Sequence, residues 1–313
     1  MRSVSYAATT LGATMMHSVF MYYYVKVYLN LYHVTEAWFQ TAQILFMIWN
    51  AINDPLFGYV QDNYDFSWVK SRRHSILYGA PLFALSFVLP WFPWGDYSTS
   101  NWLSGFQLLL CLCFYDAMFT FVLLAQCALF AEMSTAQDDR VRLVRYSQVA
   151  SLVGSTSVFF TGHLSSNLEM YDVFQMCSVV IGLFALLCLI YSGRNAHSRF
   201  DNIEQQSVGN GRQLKKKLSD IHAGATSQST DYTMWQQVSQ VMSSRDFLCF
   251  VTMNFCQVYH VTFLTNFANV FSDVLIPADV MTAKQRAGFY GSLSFTSHVR
   301  LLVLAAEKRL VNL

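Results

Sequence analysis

The sequence predicts an all-α, polytopic membrane protein with about eight transmembrane helices. Three observations carry that prediction. Of 313 residues, 54% are hydrophobic and only 12% are charged, whereas a soluble domain carries about 25% charged residues. Mean hydropathy over the whole chain is +0.30. Apolar segments near the length of about 20 residues that a bilayer-crossing helix needs recur along the chain. They fall at residues 4–25, 37–60, 75–93, 102–132, 147–165, 172–193, 247–271 and 287–306.

Taken in order, the first segment is interrupted by Thr9, Thr10, Thr14, His17 and Ser18. Such a helix is expected to face protein or a cavity rather than lipid. The second carries Asp54 followed by Pro55. An ionisable group at membrane depth costs about 2.5–3.5 kcal/mol on insertion scales and marks a functional site by default. Proline removes a backbone donor and leaves a carbonyl that needs another partner. Asn50 precedes Asp54 by four residues, so the two are expected on one face. Trp91, Trp94, Tyr97 and Trp102 cluster where the third segment ends and the fourth begins, as an interfacial aromatic belt does. The fourth segment holds a second intramembrane carboxylate, Asp116, whose plainer role is to pair with a nearby hydroxyl or with Gln126. Glu132, at its end, is expected to pair with Arg140 or Arg142. The fifth segment offers Ser147, Ser151 and Ser155 beside Ala150 and Gly154, small residues that permit close helix contact. The seventh carries a polar stripe, Asn254, Gln257 and His260, which lines a cavity or bonds another helix. His17 has two roles open to it, a proton relay or an interhelical hydrogen bond.

Residues 194–246 are polar, with Gln205-Gln206, Gly209-Asn210-Gly211 and Lys215 to Lys217. They read as a flexible cytoplasmic linker. The chain is thus expected to divide into a six-helix lobe (1–193), this linker (194–246) and a further two-helix part (247–313). Orientation follows the basic residues. With the N-terminus inside, the inner side holds Arg2, Lys70, Arg72, Arg73, Arg140, Arg142, Arg145, the linker cations, Lys308 and Arg309. The outer side then holds Lys26, Lys284 and Arg286. Both termini are therefore expected in the cytoplasm. All seven cysteines lie in apolar segments, as buried small hydrophobes do. A net charge of +1 excludes a strongly basic nucleic-acid binder. No GxGxxG, GxxxxGK or HExxH motif occurs, and no nucleophile–base pair stands at a recognisable spacing. An enzyme, a cofactor and a metal are not expected. The partners expected are the lipid bilayer and a small-molecule solute.

Trp49-Asn50-Ala51-Ile52-Asn53-Asp54-Pro55 with Gly58 resembles the second helix of the melibiose-carrier-like glycoside–pentoside–hexuronide cation symporters, a branch of the major facilitator superfamily. Met21 to Tyr24 and Leu129 to Gly154 are similar to that family's first helix end and fourth-to-fifth connection. A closer resemblance, in Asn53 to Gly58, Pro81 to Phe87 and Leu110 to Asp116, is to the orphan transmembrane protein 180 group. The resemblance implies a twelve-helix, two-lobed fold, of which this chain holds the first six-helix lobe and two helices of the second. It thus leads to the expectation of a C-terminally truncated product. It also implies a carbohydrate or other small-solute symporter, most readily placed in the plasma membrane. The family's cation site uses carboxylates of helices one, two and four. By resemblance those positions fall near Thr10, on Asn50 and Asp54, and near Leu123. Gln148 stands close to the family's sugar-contacting arginine. Asp54 with Asn50, Asn53 and Thr10 is a poor sodium site by this reading, because a hard cation wants several charged oxygens. A proton remains possible, since a carboxyl at membrane depth can titrate near neutrality. Two other classes stay open: a non-transporting, scaffold- or receptor-like descendant, and a lysolipid carrier.

Overall fold

The computed structural model describes residues 2–63, 72–95, 97, 101–133, 137–196, 239, 242–276, 280–282, 284–286, 288–289 and 292. Among them every regular element is helical. The linker expected at 194–246 and the eighth segment at 287–306 fall mostly outside the described residues. Two compact units are present, residues Met1–Ser198 with Asn266–Leu313, and residues Arg199–Thr265.

Among the described residues, six long helices lie wholly in the first unit, in chain order. Helix α1 runs Arg2–Lys26 and continues into a π-helical turn, Val27–Leu31. His33 then takes a left-handed φ of 49°, and Val34 N–H bonds the Tyr28 carbonyl at 3.0 Å, which reverses the chain. Helix α2 is Glu36–Asn63, opened by an acidic first-turn residue at its positive end. Pro55 sits inside it and withholds its amide donor. Helix α3 is Arg72–Val88, extended by a 3₁₀ turn over Leu89–Trp91. Helix α4, Asn101–Met133, has 33 residues. At 1.5 Å per residue it is about 50 Å long, beyond the roughly 30 Å hydrocarbon core. Helix α5 is Gln137–Leu164, with Asp138 and Asp139 in its first turn. Its connection to α6 puts Ser166, Asn167 and Leu168 at φ of 48°, 56° and 76°. Lys26 Nζ donates to the Asn167 carbonyl at 3.4 Å across that turn. Helix α6 is Tyr171–Asn195. A last long helix, α7, is Arg245–Leu275.

Within the lobe α1 is sandwiched by α5 and α6, α3 packs on α4 and α6, and α2 packs on α4. Lipid is as apolar as leucine, so packing rather than burial must hold such helices together. Glycines supply it. A Cβ on Gly12 would stand 3.0 Å from the Ala185 carbonyl oxygen of α6. One on Gly154 would stand 3.0 Å from Thr14 Cβ and 3.1 Å from the Leu11 carbonyl oxygen of α1. These seams meet backbone to backbone. Polar side chains add short bonds: Thr9 Oγ1 donates to Ser192 Oγ at 2.6 Å, and Ser157 Oγ to the Met15 carbonyl at 3.1 Å. The core is aromatic, with Tyr23, Phe83, Phe87, Trp91 and Phe174 fully buried. Phe20 stacks on Tyr115 with ring centroids 3.9 Å apart.

The outer face is the reverse of a soluble protein's. Met176, Val180, Leu183 and Leu187 of α6 are largely exposed, as a lipid-facing stripe requires. By length and composition three described helices qualify to cross a membrane: Arg72–Trp91, Trp102–Met133 and Tyr171–Asn195. The other long described helices carry more polar residues, and most of the eighth expected segment lies outside the described residues.

Candidate functional site

The polar residues of α2 and α4 meet in one cluster. Consecutive positions on a helix point about 100° apart, so Asn53 and Asp54 address α4 at different places. Asn53 is fully buried at 0% exposure, and its Nδ2 donates to Asp116 Oδ2 at 2.9 Å. Asp54 Oδ1 accepts from Thr120 Oγ1 at 3.0 Å. Asp116 and Thr120 are one turn apart and share a face of α4. Two carboxylates are thus stationed in the bundle with neutral donors as their partners. Asn53 Oδ1 is buried and accepts no hydrogen bond, although a buried carbonyl oxygen normally has a donor. Asp54 itself remains exposed, while Asp116 is half-buried.

Below the cluster, Gln61 Nε2 donates to the Phe121 carbonyl at 2.8 Å. Arg72 Nη1 donates to the Gln61 carbonyl at 2.9 Å, and its Nε lies 3.7 Å from Glu132 Oε1. The end of α2 is therefore tied to both α3 and α4, and Glu132 meets Arg72 across helices. On the α1 side, Gln126 Nε2 donates to Thr10 Oγ1 at 2.6 Å. His17 stacks on Phe119 at 4.5 Å and near-parallel to Tyr115 at 6.5 Å. Its Nδ1 is buried without a partner.

Residues 5–298 match the family described as MFS/sugar transport protein. The chain belongs to that family. It is an all-α, multi-pass membrane protein of the transporter type. It is also similar to Transmembrane protein 180 of Gallus gallus, 30% identical over 286 residues, which cover 88% of this chain and 54% of that protein. Transmembrane protein 180 of Mus musculus is 28% identical over 288 residues, with the same two coverages of 88% and 54%. The chain spans about half the length of the curated relatives it matches. Membership in a transporter family points away from catalysis.

The structure distributes the sequence-predicted residues as follows. Asn53, Asp54 and Asp116 come together. Asn50 is exposed on α2, Thr10 is engaged by Gln126, and His17 lies in an aromatic stack. Gln148 is half-buried on α5, its Oε1 without a partner. Gln257 and His260 are exposed on α7 in the second unit. Sequence reasoning missed Thr120, whose one signal was its place one turn after Asp116. It also missed Gln61. Among the described residues no group of three or more His, Cys, Asp and Glu is placed to hold a metal ion. The cysteines are free thiols.

Proposed function

We propose that this protein is a secondary transporter of a small organic solute, carbohydrates being the first class to try, and that cation movement is coupled at Asp54 and Asp116. The observation that carries the reading is the α2–α4 cluster. Two carboxylates are kept at membrane depth, where each is expensive, yet the cluster supplies them an amide and a hydroxyl rather than an arginine or lysine. A neutral donor set leaves the negative charge uncompensated. That favours a group whose task is to take up and release a cation. The oxygens of Asp54, Asp116 and Thr120, with the unpartnered Asn53 Oδ1, are chemically suited to a proton or to Na⁺. The family's description supports transport and sugar as the substrate class. The arginine-rich ends of α3 and α5 support cytoplasmic termini, and a plasma membrane setting suits a solute carrier.

The reading is tested in proteoliposomes carrying the chain, with a panel of radiolabelled sugars. Uptake should rise with an imposed proton or sodium gradient, and the two gradients applied separately identify the ion. Asp54→Asn and Asp116→Asn should each abolish gradient-driven uptake while leaving helix content and exchange of solute across the membrane. Uptake indifferent to both gradients, or unaffected by Asp54→Asn, would overturn the coupling role. Absence of uptake for every solute would favour the non-transporting alternative.

A further inference from the structure

A second feature lies where α2, α3 and α4 meet. Phe57 and Val60 of α2, Tyr78, Gly79 and Leu82 of α3, and Met118 and Phe121 of α4 line a half-open groove of about 520 Å³. That lies within the roughly 300–1,000 Å³ typical of ligand pockets. Its lining is apolar except for one phenol. Gly79 forms part of the wall because α3 and α4 approach closely there: a Cβ would stand 3.0 Å from the Phe121 ring. Tyr78 and Leu82 are exposed at 57% and 48%, so the groove opens sideways from the bundle.

One end of the groove is basic. His74, Tyr78 and Leu82 follow each other at four-residue steps and lie on one face of α3. The His74 and Tyr78 rings are in contact, with centroids 6.2 Å apart. Arg72 and Arg73 precede them, about 7.5–9 Å along the helix from Tyr78. His74 thus stands on the groove's face at the start of α3 with Arg73 beside it, while Arg72 is held by Gln61 and Glu132. This pattern matches an amphiphile with an anionic head, and the medium around the helices is made of such molecules.

We propose that this groove holds one acyl chain of an anionic phospholipid, with its phosphate at Arg73 and His74 in the leaflet facing the arginine-rich ends of the helices. The site needs no part of the carboxylate cluster. It anchors α3 against α2 and α4 by filling a concavity that helix packing leaves open.

The test uses the whole chain in nanodiscs containing equal phosphatidylserine and phosphatidylcholine, followed by mild release and native mass spectrometry. One phosphatidylserine per chain should be retained, in about tenfold preference over phosphatidylcholine, the scale expected of two basic groups near a membrane surface. Leu82→Trp fills the groove from its open side and should remove the retained lipid. The pair Arg73→Gln with His74→Gln keeps every lining residue and should erase the preference for phosphatidylserine. Leu85→Trp, one turn away and outside the lining, should change neither. Equal retention of the two lipids by the unmodified chain, no retained lipid, or an unchanged preference in the Arg73/His74 variant would each overturn the proposal. Because that variant alters only residues at the helix end, the test stands even where Leu82→Trp fails to fold.

Discussion

Replacing Asn53 by Leu isolates what holds the carboxylate cluster together. The side chain is fully buried, and its amide is 2.9 Å from Asp116 Oδ2. Leucine keeps most of the volume and removes the donor. Hydrogen bonds to charged groups contribute about 1.5–3 kcal/mol in soluble proteins. In bilayers the measured couplings average about 0.6 and reach about 1.7 kcal/mol. A short bond from a fully buried donor to a carboxylate belongs near the upper bilayer value, so a loss of about 1.5 kcal/mol is expected. Thr120→Val removes a bond of similar length to Asp54, but that carboxylate is exposed rather than enclosed by the helices. The expected loss there is about 0.5 kcal/mol. The decisive variant is the double change Asn53→Leu with Asp116→Leu. Removing both partners leaves no stranded polar group and should restore most of the stability. Unfolding of Asn53→Leu, Asp116→Leu and the double variant in mixed micelles titrated with sodium dodecyl sulfate, followed by circular dichroism, gives the three free energies and their coupling. Single-variant losses that simply add, within about 0.5 kcal/mol, would show that the two residues do not interact. The inference of a bonded α2–α4 cluster would then fail.

Other outcomes follow from the packing and the charges. Gly154→Val should cost about 1–3 kcal/mol by overpacking in the same micelle titration, because the wall it meets is α1 backbone. A neutral result would contradict the backbone-to-backbone seam. Gly58→Ala should instead stabilise by about 0.5–1 kcal/mol, since nothing lies within 4 Å of its added Cβ and alanine favours helix. Single cysteines at Gly95 and Asp139, in a chain otherwise free of cysteine, should react with an impermeant maleimide from opposite sides of the membrane. Reaction from the same side would refute the orientation read from the basic residues.

Parts of this arrangement could be read from the sequence for a simple reason. A charge in an apolar run is costly wherever it falls, so Asp54 and Asp116 were visible without any knowledge of packing. Helix period was equally legible, and α1 to α6 overlap the six apolar segments that announced them. What periodicity could not show was which faces of two different helices meet. It grouped Asn50 with Asp54, four residues apart on α2. The structure instead uses Asn53 and Asp54, each on a different residue of α4, across sequence separations of 63 and 66. Those pairings depend on how α2 is rotated about its own axis, a property of side-chain fit along the whole α2–α4 contact. Thr120 was missed because a threonine in a membrane helix is unremarkable until its partner is known. Arg72 illustrates the same limit: it lies 60 residues before Glu132 in sequence, and its Nε is 3.7 Å from Glu132 Oε1.

The glycine seams bear on how such a protein can move. Where two helices touch through long side chains, rotamer changes let them slide past one another. Where Gly12 and Gly154 bring α1 against the main chain of α6 and α5, there is no intervening material to rearrange. Displacement by even a fraction of a turn would drive a Cβ into a carbonyl. Helices α1, α5 and α6 must therefore travel as one piece. Any change of access to a pathway through the membrane has to be absorbed by the turns between helices, or by the looser, largely exposed α2, whose internal proline already interrupts its hydrogen-bond ladder. On the proposed transport reading, a stiff slab with one pliable helix beside it would transmit a local event at Asp54 as a tilt rather than dissipate it as small shifts.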